Sequence, residues 1–104
     1  MASEVTVVRI YLREAQHGRS KALMQELLDL LQQQHRVKGV TVFRGIAGMG
    51  RDGEVHAADL LRLVVELPLV IEFFDEPQTV EAILPLLADR VPEGHILSWT
   101  ATCC

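Results

Sequence analysis

Cysteine is nearly missing from this chain: of its 104 residues only Cys103 and Cys104, the last two, carry a thiol. Adjacent cysteines cannot staple a core, and a disulfide between them is strained, so a disulfide framework is excluded and a reduced tail is expected. The functional readings of the pair are a redox or soft-metal switch, or an intermolecular disulfide. Aromatic residues make up 5%, which leaves Leu and Val to supply most of a 49% hydrophobic content. Basic residues are the minority, 10 Lys and Arg against 14 Asp and Glu, for a formal net charge of −4. Without a basic footprint there is little to hold a phosphate backbone, so nucleic acid is not an expected partner. No apolar run reaches the roughly 18 residues that a membrane-spanning helix needs. The opening Met1-Ala2-Ser3-Glu4 has no basic segment ahead of an apolar one. No signal peptide is therefore expected, and the cytoplasm is the default location.

What is present fits a single domain over residues 1–104, a size at which one chain buries only part of its apolar surface. The hydrophobic surplus then has to be covered elsewhere, and a subunit interface is the simplest cover. Residues 5–12 alternate as a strand, with Thr6, Val8, Ile10 and Leu12 on one side and Val5, Val7, Arg9 and Tyr11 on the other. Gln16-His17-Gly18 breaks it. From residue 19 or 20 to about 36 the period turns helical, with Leu23, Leu27, Leu30 and Leu31 in one stripe and Gly39 as the expected stop.

Residues 40–46 read as a second strand and lead into a stretch dense in glycine, Gly45, Gly48, Gly50 and Gly53. Residues 60–74 form an apolar run interrupted by Pro68, which predicts an edge or bulged position in a long strand. Asp75, Pro77 and Gln78 predict a helix start with Asp75 as cap, and Pro85 predicts a kink in that helix. After the turn at Pro92-Glu93-Gly94, residues 95–102 read as a last strand.

The order is β-α-β-β-α-β. Its economical packing is an α+β, ferredoxin-like βαββαβ sandwich: a four-stranded antiparallel sheet with two helices on one face. Both sheet faces are apolar, since Val7 and Tyr11 oppose Val8 and Ile10, and Val64 opposes Leu63 and Val65. A helix-free face of that kind predicts oligomerisation.

Several segments together resemble a known family. Arg44-Gly45-Ile46-Ala47-Gly48-Met49-Gly50, then His56, the Leu67-Pro68 pair and Glu72 are similar to the hallmark positions of the P-II-like DUF190 family. The wider P-II signalling proteins are matched in order and spacing by residues 39–42, 48–52, 67–72 and 75–76. The resemblance implies a homotrimer with sheets packed around the threefold axis and ligand clefts between neighbouring subunits. It implies an adenine nucleotide as ligand and a protein partner engaged through the loop at residues 45–60. The association of DUF190 members with fluoride-channel genes points to a transporter or channel as that partner.

Residue by residue, the resemblance implies a ligand site of Arg44, Gly45, Gly48, Gly50, Arg51 and His95. Glycine lets backbone N–H groups approach an anion, and Arg suits a phosphate. Asp52 stands where P-II proteins have Gln, and His95 where they have Lys. As a bare pattern the glycine block is equally a hairpin loop. His56, with Glu54 and Asp59 near it, is the candidate metal ligand of a rival reading, a divalent-metal-responsive trimer. A third reading is a trimeric adaptor without a small-molecule ligand. No nucleophile turn, HExxH motif or P-loop occurs; Glu66 and Glu72, six apart, would share one face of a long strand, but they read as solvent-facing or interface residues with no cleft signalled beside them, so no enzymatic activity is expected.

Overall fold

The computed structural model describes residues 2–13, 19–49, 55–57 and 68–104. Strand β1 (Ser3–Arg13) is followed by helix α1 (Arg19–Asp29), which widens into a π-helical turn at Leu30–Gln34. Strand β2 (Gly39–Arg44) leads to a hairpin of β3 (Ala47–Met49) and β4 (Val55–Ala57). Strand β5 (Pro68–Asp75), helix α2 (Pro77–Ala88) and strand β6 (Ile96–Cys103) complete the chain. The main sheet has the order β2-β5-β1-β6, every pair antiparallel, while β3 and β4 pair only with each other. This is the βαββαβ sandwich expected from the residue order.

Alternation along the strands builds the core. Val8, Ile10 and Leu12 of β1 and Leu69, Ile71 and Phe73 of β5 are buried in one cluster. The helices close it with Leu27, Leu30 and Leu31 from the first and Val80, Ile83 and Leu87 from the second. Leu30 and Leu31, consecutive and both buried, open the widened turn, which the bond from the His35 N–H to the Leu30 carbonyl (3.2 Å) records. Arg90 then ties the helices together, its Nε donating to Glu26 Oε1 at 2.9 Å.

Four local expectations need correction. The helix does not stop at Gly39: Arg36 takes the left-handed conformation (φ 49°), and Gly39 opens β2. There a Cβ would sit 2.6 Å from Phe74 Cε1, so the glycine serves close packing across the sheet. Pro68 does not lie at an edge. It belongs to β5 (Pro68–Asp75), which lies between β2 and β1; residues 60–67, Glu66 and the first half of the expected long strand among them, lie outside the described residues. Asp75 is not the cap of α2, where Glu76 takes that place. Its buried carboxylate instead accepts the N–H groups of Glu76 (Oδ1, 2.6 Å) and Lys38 (Oδ2, 3.2 Å), joining the start of β2 to the start of α2. Strand β2 ends at Arg44 rather than at residue 46.

Candidate functional site

The register gathers three of the six expected ligand residues at one end of the sheet. Arg44 closes β2 opposite Leu69, Arg13 closes β1 opposite Pro68, and the Tyr11 N–H donates to the His95 carbonyl at 2.9 Å. Arg44, Gly45 and His95 therefore share that end with Pro68 and the last residues of β1. They do not share an edge. Arg44 belongs to β2 and His95 leads into β6, the two outer strands, so β5 and β1 separate them by roughly 14 Å at ordinary strand spacing.

Gly45 has a local steric reason. Its N–H donates to the Pro68 carbonyl at 2.7 Å, and a Cβ there would run into the Pro68 ring. Its amide is committed to that bond, and the residue lets the chain leave β2 tightly against β5. Gly48 lies in the hairpin directly across from His56. Gly50 and Arg51 lie outside the described residues. Among the described residues no three His, Cys, Asp or Glu side chains gather as a metal site. Cys103 and Cys104 are exposed free thiols.

His95 is the most firmly positioned of the expected residues. Gly94 takes φ 84°, and the His95 N–H donates to the Pro92 carbonyl at 3.2 Å, the pattern of a type II turn. The ring is then held by Nδ1, 3.0 Å from the Tyr11 carbonyl.

A second cluster escaped the sequence reading. On the sheet face away from the helices, Arg9 donates to Glu72 Oε1 through Nε (3.0 Å) and Nη2 (2.6 Å), and its guanidinium lies 5.3 Å from the Trp99 ring centroid. Tyr11 first and Glu72 second raise the Arg9 pKa above its ordinary value, so its charge persists. The Glu72 carboxylate is thus taken up by an ion pair across the sheet. The only signal in the sequence was opposite charge on inferred strands; pairing residue 9 with residue 72 requires the register. Around this pair Tyr11, Phe43, Leu97 and Trp99 stand exposed.

Comparisons with known proteins agree with this architecture. The profile of the DUF190 family, described as "Uncharacterized ACR", matches residues 5–103. A UPF0166 protein of Methanocaldococcus jannaschii is 30% identical over 91 residues, covering 88% of this chain and 82% of that protein. Among solved structures, CPII of Thiomonas intermedia K12, a nitrogen regulatory PII-like protein bound to ADP, AMP and bicarbonate, superposes with a TM-score of 0.58 at 19% identity, covering 100% of this chain and 99% of that one. LarC2, the C-terminal domain of a cyclometallase involved in synthesis of the NPN cofactor of lactate racemase, gives a TM-score of 0.65 at 7% identity. It covers all of this chain, which spans 58% of that one. At such identities these structures share the fold, and the fold alone does not assign an activity.

Proposed function

The chain belongs to the DUF190 family, and from that premise we propose that it is a non-catalytic, homotrimeric, cytoplasmic P-II-like regulator. A small anionic ligand, an adenine nucleotide in this reading, enters the cleft between neighbouring chains. Arg51 and the amides around Gly48 and Gly50 meet its phosphates, Arg44 and His95 add contacts, and Gly45 shapes the start of the loop. Ligand binding favours one state of the loop at residues 45–60 over another and so changes its affinity for a transporter or channel.

The observation that carries this reading is the placement of Arg44, on one edge strand, and His95, which leads into the other, at the same end of the sheet. Within one chain β5 and β1 lie between them. Side-by-side copies bring one chain's β2 edge towards the next chain's β6 edge. The exposed apolar face supports association of that kind, and the ADP and AMP bound by CPII support the ligand class.

Sedimentation velocity combined with calorimetric titration of ATP, ADP and AMP tests the reading. Trimers that bind one of these nucleotides, with binding lost in Arg51→Ala, are the expected result. A stable monomer at micromolar concentration would overturn it. Stabilisation by Zn²⁺ that disappears in His56→Ala would replace it with the metal-responsive reading.

A further inference from the structure

We infer that His95 contacts an anionic ligand only in its protonated form, so that the site binds anions more tightly as pH falls. The inference rests on the ligand site proposed above and adds its regulation. Its basis is the bond between Nδ1 and the Tyr11 carbonyl at 3.0 Å. A carbonyl oxygen has no proton to give, so Nδ1 must be the donor. The backbone holds the ring to this arrangement, because the Tyr11 N–H donates to the His95 carbonyl and the turn at Pro92–Gly94 fixes the residue's own N–H.

In the neutral ring the single proton then sits on Nδ1, and Nε2 presents a lone pair. A lone pair facing a phosphate oxygen sets acceptor against acceptor. Protonation places an N–H and a positive charge at the same point, which turns the contact into a charge-assisted hydrogen bond. Among the described residues the ring has no other hydrogen-bonding or ionic partner. A lysine at this position would be charged throughout the neutral range; a histidine changes charge between about pH 5 and 8.

The charged and titratable groups around the ring are few. Among the described side chains of the neighbouring strand β1 they are the Tyr11 phenol and Arg9 in its pair with Glu72 of β5. The turn contributes Glu93, and β6 carries none before Cys103. None of these is bonded to the imidazole among the described residues.

The test is calorimetric titration of the full chain with ADP at about pH 5.5 and about pH 8, the ends of the imidazole range, in the wild type, His95→Lys and His95→Gln. Comparison between variants cancels the titration of ADP itself. Relative to His95→Lys, the wild type should gain about tenfold in affinity between the higher and lower pH, the size of one charge-assisted hydrogen bond. His95→Gln should be weak at both. A wild type whose pH profile matches that of His95→Gln overturns the inference.

A second measurement separates this inference from the nucleotide reading. Long-range ¹H–¹⁵N correlation of the His95 ring should show the neutral form protonated on Nδ1. Inorganic pyrophosphate should move the ring's titration to higher pH, because an anion that binds the protonated form holds the proton on. A neutral ring protonated on Nε2, or a titration that pyrophosphate leaves in place, overturns the inference. If pyrophosphate shifts the titration while ADP binds no variant, the proton dependence stands and adenine nucleotide as the ligand falls.

Discussion

The two faces of the sheet are built from one alternating pattern. On the face under the helices Val8, Ile10, Ile71 and Phe73 are fully buried, at 0% exposure. On the other face Tyr11, Phe43, Leu97 and Trp99 keep between 37% and 51% of their surface in contact with water. Both sets are apolar, but their neighbours differ: two helices complete the first, and nothing in the same described chain covers the second. The open face also carries the Arg9–Glu72 pair, already matched within the chain, with Trp99 against the cation. A pair formed before association brings its own counter-charge into any interface, which lowers the cost of covering it compared with a lone charge. The covered face thus holds the fold together, and the open face is the part of the fold that the proposed assembly uses.

Truncation separates the two. Phe73→Ala should cost about 3–5 kcal/mol, since it empties a fully buried site, and urea denaturation should show an unstable or unfolded chain. If the midpoint barely moves, the covered face is not the core. The matching change on the open face, Trp99→Glu, should leave far-ultraviolet circular dichroism intact but dissociate the assembly, read by sedimentation velocity. An unchanged oligomer would remove the open face from the interface. The smallest effect is expected from Glu72→Gln, which keeps shape but strips Arg9 of its counter-charge. Arg9 remains a cation without its partner, so assembly should weaken at low ionic strength and recover partly as salt screens the repulsion between the Arg9 charges of neighbouring chains. Assembly equal to wild type at every salt concentration would show that the pair lies outside the interface.

Much of the covered face was legible in the chain. Alternation in β1, the leucine stripe of α1 and the turn residues at Pro92–Gly94 are local signals, and they set the element order and the βαββαβ packing. The corrections fall where a residue's role is decided by something distant along the chain. Gly39 resembled a helix stop because Phe74, which forbids a side chain there, is not nearby in sequence. Asp75 resembled a helix cap because the Lys38 N–H that it accepts comes from the start of the neighbouring strand, 37 positions away in the chain. Pro68 resembled an edge residue because nothing local announces that β5 is inserted between β2 and β1.

The candidate site divides in the same way. Glycine density and Arg44 were visible as residue types, and His95 as a turn residue before a strand. That Gly45 is pressed against Pro68, and that the His95 ring is bonded to the Tyr11 carbonyl, follows only from strand pairing.

The sequence by itself therefore determined which segments become strands and helices and which side of each is apolar, because those properties repeat over two to four residues and are written locally. The tertiary structure decided which apolar face the helices cover, which charges pair, and that Arg44 and His95 lie on opposite edges of one sheet end. Those outcomes depend on strand order and register, and contacts between residues far apart in the chain exist only once the sheet has closed around its core.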